Sequence, residues 1–243
     1  MSPDRRSFLK IAAAVGVTAA SAHLPFAVGA ADSGRQTMRI GVVGTGRVGG
    51  TLAAVWAKAG HELMLSSRTL EDDKALATKL GAKARAGTPR EAAAFGEVIL
   101  ISVPYLALPE LGKSLADLIK GKIVIDTCNP FVSRDGDIAT WAREKGAGLA
   151  SAELLPGARI VRAFNAIGHA RMATAHEQPG RIGMPIAGDD AQAIALASRL
   201  IRDIGYEPVL IGGLAMGKHL MPGTTLAGER TPDEIRRVAA TLS

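Results

Sequence analysis

Short, unbroken apolar runs recur along the chain, and amphipathic stretches fill the gaps between them. Met38-Arg39-Ile40-Gly41-Val42-Val43 is one such run, and Val98-Ile99-Leu100-Ile101-Ser102-Val103 is another, stopped by Pro104. Lys122-Ile123-Val124-Ile125-Asp126 is a third. Runs this short and continuous suit strands buried on both faces, because a strand with one wet face would alternate. Glu62–Ser66 and Lys83–Ala86 read as two further strands. Helices are predicted between them over Thr51–Ala59, Glu71–Leu80, Pro89–Phe95 and Leu106–Ile119, with Gly60 and Gly81 as stops and Pro109 in a first turn. Alternation of strand and helix points to an α/β fold with a doubly wound, mostly parallel sheet.

The second half is looser. Arg159–Phe164, Arg181–Ala187 and Tyr206–Ile211 read as strands. Ala191–Ile204 reads as a helix capped by Gly188-Asp189-Asp190, and Thr231–Leu242 as a terminal helix opening on Thr-Pro-Asp-Glu. These segments make a small C-terminal α/β addition.

Gly44-Thr45-Gly46-Arg47-Val48-Gly49 follows the first strand at once and opens a helix. That is the context in which a glycine fingerprint binds a dinucleotide. Gly44 permits the tight turn, Gly46 lets a pyrophosphate approach the backbone, and Gly49 lets helix and strand pack closely. The free N–H groups of the helix start then face the negative charge. At the tip of the next strand, an NAD site places Asp or Glu to accept from the ribose 2′-hydroxyl. Here that position reads Ser67-Arg68, with a hydroxyl donor and a planar guanidinium, which favours the 2′-phosphate of NADP.

The chain begins with a different signal. Asp4-Arg5-Arg6-Ser7-Phe8-Leu9-Lys10 resembles the twin-arginine export motif, with Asp4 where Ser or Thr is usual. A charge-free run from Ile11 to Ala31 follows, with Pro25 late in it and the small residues Val28-Gly29-Ala30 near its end. A helix over its apolar part would measure about 21 Å, short of the ~30 Å hydrocarbon core. Residues 1–31 are therefore expected to be a cleaved signal peptide, leaving no stable membrane span and a periplasmic or otherwise extracytoplasmic protein. An uncleaved anchor and a first helix of the fold are the alternatives.

Composition narrows the field. The net charge of +6 is scattered, without a Lys/Arg run, so a nucleic-acid partner is not expected. The 28 glycines and few aromatics suit close packing of helix on sheet. The single cysteine, Cys128, excludes an internal disulfide, and no metal-ligand spacing occurs.

The segments "IGVVGTGRVGGTLA", "LSSR", "VIDTCNPF", "IVRAFNAIG" and "IAGDDAQAIALASRLIRDIGYEPVLIGGL" resemble the NADPH-dependent reductases of the deazaflavin coenzyme F420. The resemblance implies a Rossmann-type domain over residues 37–164. It also implies a C-terminal extension over 165–243 that forms the acceptor cleft. Thr45, Gly46, Arg47 and Val48 would hold the pyrophosphate, and Ser67 and Arg68 the 2′-phosphate. Val103 and Ala163 would line the dinucleotide, and Asn129 and Asn165 would lie near the nicotinamide. The resemblance favours a homodimer. The family pattern weakens past Gly213-Leu214, in the region expected to help form the acceptor pocket.

No Ser/His/Asp set or paired carboxylate stands out. Direct hydride transfer to a flavin-like ring needs neither, since the cofactors carry the chemistry and the protein supplies orientation. An imine substrate would need a proton donor, for which His169 is the candidate, as Asn165 is for an amide contact near the reacting ring. The sequence thus points to an NADP-dependent oxidoreductase with coenzyme F420 or a flavin as the small-molecule redox acceptor. A non-catalytic NADP-binding sensor or accessory protein and a small-substrate imine reductase are the alternatives.

Overall fold

The computed structural model describes residues 36–242. The signal read in residues 1–31 lies outside the described residues. The first half runs β1 (Arg39–Val43), α1 (Arg47–Lys58), β2 (Glu62–Ser66), α2 (Leu70–Leu80), β3 (Ala84–Ala86), α3 (Pro89–Phe95), β4 (Val98–Ile101), α4 (Leu108–Ile119) and β5 (Ile123–Asp126). Three short helices follow, α5 (Val132–Asp135), α6 (Asp137–Lys145) and α7 (Ala147–Leu154). The chain continues through β6 (Arg159–Arg162), α8 (His169–Met172), β7 (Ile182–Gly188), α9 (Ala191–Asp203), β8 (Tyr206–Leu210) and α10 (Pro232–Ala239).

The sheet has eight strands in the order β3-β2-β1-β4-β5-β6-β7-β8. The first six are parallel, β7 runs antiparallel to β6, and β8 is parallel to β7. Side chains alternate across this sheet, so each central strand feeds two cores. Ile40, Val42, Val98, Leu100, Ile123 and Ile125 face one side, where α1, α2 and α9 supply Leu52, Trp56, Ala77 and Leu200. Val43, Ile99, Ile101 and Val124 face the other, against Ala92, Leu108, Leu115 and Ala150 of α3, α4 and α7. The continuity of the apolar runs follows from this double burial.

Aromatic side chains help tie the C-terminal addition to the first half. The Trp56 indole N–H donates to the Leu200 carbonyl at 2.9 Å, joining α1 to α9. Phe164 stands edge-on to both Trp56 and Tyr206, at centroid distances of 6.0 and 6.1 Å. Burial pushes the Tyr206 hydroxyl pKa up to about 12. No helix among the described residues is long and apolar enough to cross a membrane.

Candidate functional site

β1 pairs with β2 on one side and β4 on the other, and the chain leaves the carboxyl end of β1 towards β2 but that of β4 towards β5, in opposite directions along the sheet. The chain therefore diverges above β1, and a crevice must open there. A cleft of about 710 Å³ occupies that place. Its walls are Val43–Gly46 after β1, Ser67–Thr69 after β2, Ser102–Pro104 after β4, and parts of α2 and α4 including Asp72 and Glu110.

The glycines act as the fingerprint requires. Gly44 has φ +99, and a Cβ on it would stand 2.2 Å from the Ser102 carbonyl oxygen. A Cβ on Gly49 would stand 1.9 Å from the Gly44 carbonyl oxygen. Both positions are closed to any side chain. Gly46 is the contrast, because a Cβ there would meet nothing within 4 Å. It opens on the cleft. α1 starts at Arg47 rather than Thr51, so Gly46 is its N-cap. No side chain caps that end and its first turn carries no acid. The amides at the start of α1 therefore present uncompensated positive charge to the cleft.

Across the cleft, Arg68 is exposed and makes no hydrogen bond or ion pair among the described residues. Ser67 behaves differently. Its hydroxyl lies 2.8 Å from an Asp73 carboxylate oxygen, while the Thr45 hydroxyl donates to the other. Asp73 is fully buried in the first turn of α2. It fastens the loop after β1 to the loop after β2. Sequence reasoning missed it, since Glu71, Asp72 and Asp73 look equally suited to a helix start.

The other expected site residues lie apart from the cleft walls, Val103 excepted, which lines them. Arg47 is exposed, Val48 packs partly into the core, and Gly49 is buried. Ala163 is fully buried and Asn165 is 3% exposed. Among the described residues, the Asn165 side-chain nitrogen and oxygen both lack a partner. Asn129 is half-buried, and its amide nitrogen donates to the Asn165 carbonyl at 2.8 Å. Between Ala163 and Asn165, Phe164 takes φ +64, a left-handed conformation rare for a bulky residue and costing about 1–3 kcal/mol. His169 is half-buried at the first position of the four-residue α8, outside the cleft walls.

Beneath this edge runs a polar network that the sequence only partly discloses. Asp126 and Arg162 are register partners on β5 and β6, both fully buried, and their charged groups meet at 2.6 Å. Arg162 also reaches the Cys128 carbonyl at 3.1 Å. Tyr105 joins through Ser151 at 3.2 Å, and burial raises its hydroxyl pKa. Burial, and then the Asp126 carboxylate, push the Cys128 thiol well above its ordinary value. An acid and a base at the ends of two neighbouring apolar strands were the available signal. Among the described residues, no group of three or more His, Cys, Asp or Glu side chains is placed to hold a metal ion.

Residues 39–130 match the family of coenzyme F420-dependent NADP oxidoreductases. An F420-dependent NADP reductase of Methanothermobacter marburgensis is 32% identical, over 73% of this chain and 85% of its own length. The chain belongs to this family. A rat metalloreductase, STEAP3, is 28% identical over 78% of this chain, which spans only 37% of that longer protein. A solved structure from Arthrobacter, described as an F420-dependent NADP reductase, superposes with a TM-score of 0.64. It shares 22% identity and covers 74% of this chain and 87% of its own, so it shows the common fold. The matched residues run from β1 to Pro130 and include the glycine loop, Ser67 and Arg68.

Proposed function

We propose that the protein binds NADP(H) in the cleft above β1 and works as an oxidoreductase, with a deazaflavin or flavin ring as hydride acceptor. One observation carries the nucleotide half. An open Gly46, an uncapped helix start and an unpaired Arg68 guanidinium face one cleft. Each is a feature that a phosphate would complete. In this reading the amides from Thr45 to Gly49 hold the pyrophosphate, Arg68 holds the adenosine 2′-phosphate, and Val103 packs against the dinucleotide. Ala163, Asn129 and Asn165 lie towards the nicotinamide. The buried, partnerless amide of Asn165 suits a carboxamide, which offers a donor beside an acceptor.

Bound NADP(H) supplies the hydride, and the chain's own residues orient it and exclude water. Leu106, at the cleft, and Phe131 are exposed apolar side chains whose backbone N–H groups both bind the Asp135 carboxylate. They offer an aromatic acceptor a surface, with the C-terminal extension (165–243) as the other wall. Export by the twin-arginine route, after folding around a tightly held nucleotide, and homodimer formation complete the proposal.

The test is spectrophotometric. Purified protein should oxidise NADPH when coenzyme F420 or a flavin is supplied. Nucleotide that co-purifies and never turns over with either acceptor would favour a sensor instead. Wild-type rates in His169→Ala would support ring-to-ring transfer over imine reduction, in which that histidine would donate the proton.

A further inference from the structure

We infer that Arg162 and Asp126 are positioning residues that hold the Asn165 amide ready for the amide-bearing end of the nucleotide. The inference rests on the NADP(H) reading above.

A fully buried ion pair needs a reason beyond stability, since two charges withdrawn from water are often no better than a well-packed apolar pair. This pair organises the loop after β5. One Asp126 oxygen accepts the Cys128 N–H at 2.7 Å, while Arg162 donates to the Cys128 carbonyl at 3.1 Å. Both polar backbone groups of Cys128 are thus held. The same guanidinium lies 3.4 Å from the Asn129 side-chain oxygen. That contact fixes which way the Asn129 amide faces, and its nitrogen is left to donate to the Asn165 carbonyl. A path of directed bonds therefore runs from Asp126 through Arg162 and Asn129 to the backbone of Asn165.

The path is rigid at its source. A Cβ on Gly217 would stand 2.6 Å from the Arg162 Cδ, and one on Gly148 would stand 3.2 Å from it. Glycines at these two places leave room for this side chain and for little else. Ser151 is a further neighbour at 3.4 Å. At the far end, Phe164 is held at φ +64, and the Asn165 amide has no partner on nitrogen or oxygen among the described residues. A buried amide without partners is costly and therefore uncommon. Backbone strain of this kind clusters at active sites and ligand clamps. The loop also borders the cleft: the Thr127 N–H donates to the Ile101 carbonyl at 3.1 Å, and the next residue, Ser102, lines the cleft.

The test separates the two ends of the nucleotide. 2′,5′-ADP reports the adenosine end alone, and NADP+ reports both. Dissociation constants for each are measured for the wild type, Arg162→Met and the paired Asp126→Asn/Arg162→Met protein. The paired variant removes both buried charges together, so the test survives if Arg162→Met fails to fold. The Asn165 side-chain NH2 signal is followed by 15N NMR in the same samples. We expect 2′,5′-ADP affinity to stay within about twofold, and the preference for NADP+ over 2′,5′-ADP to fall by about fivefold or more. The NADP+-induced shift of the Asn165 signal should be lost. Folded variants that keep the wild-type preference and the Asn165 shift would overturn the inference alone. A wild type that binds no 2′,5′-ADP would overturn the nucleotide reading and this inference with it.

Discussion

The Ser67 hydroxyl lies 2.8 Å from an Asp73 carboxylate oxygen, and Asp73 is fully buried. A hydroxyl has one proton to give, and the carboxylate can only accept. While that bond stands, Ser67 turns lone pairs, not a donor, to anything else. In the proposed reading, the grip on the 2′-phosphate then falls to Arg68. Arg68→Met should weaken NADPH binding by about 10- to 100-fold, the worth of a charge-assisted hydrogen bond, and leave NADH nearly unchanged. Ser67→Ala should stay within about threefold for both nucleotides. Isothermal titration of the two variants checks this, and the reverse ranking would show that Ser67 leaves Asp73 for the phosphate.

Gly46 and Gly49 should answer to alanine in opposite ways. In Gly49→Ala the new methyl meets backbone 1.9 Å away, which cannot yield as a side chain would. A stability loss of about 1–3 kcal/mol or more is expected, visible as a lower Tm. Gly46 has φ −64 and open space, so Gly46→Ala should keep its Tm. Its methyl would stand where the pyrophosphate approaches, and NADPH affinity should fall all the same. Thermal melts with and without NADPH distinguish the two.

How much of this was legible in the sequence depended on whether local pattern or tertiary partner decides the feature. The double-buried strands announced themselves, as did the glycine loop. Asp190 caps α9 through the Ala193 N–H, and Thr231 and Glu234 form the capping box of α10, both as their spacing implies. Helices α5, α6 and α7 did not show, for a physical reason. They are 4, 9 and 8 residues long, broken at Gly136 and Gly146, and the last is Ala-Gly-Leu-Ala-Ser-Ala-Glu-Leu with hardly a polar face. The antiparallel turn of β7 depends on its neighbour, not on its own residues. The roles of Asp73 and Arg162 likewise arise from what other segments bring to them.

Cys128 should be inert in the folded protein. Its thiol is 1% exposed, and burial beside Asp126 disfavours the thiolate. Alkylation by iodoacetamide at pH 8 should be negligible natively and complete in denaturant. Rapid native labelling would contradict the closed packing of this edge.

Asp190 gives a defined acid sensitivity. The Arg159 guanidinium, helped by the Ala193 N–H, lowers its carboxyl from the usual 3.8 to about 2. A carboxyl depressed on folding stabilises the fold above its unfolded value, and that support fades as pH falls through the folded one. Tm should therefore drop between about pH 4 and pH 2 more steeply in the wild type than in Asp190→Asn. Parallel slopes over that range would remove this pair from the account.

On the proposed reading, one cleft above β1 distinguishes the phosphorylated from the unphosphorylated dinucleotide. Titration of the wild-type protein with NADPH and with NADH, side by side in the same buffer, tests it most directly. The account predicts one NADPH bound per chain and NADH at least about tenfold weaker. Equal affinity for the two, or no binding of either, would contradict it.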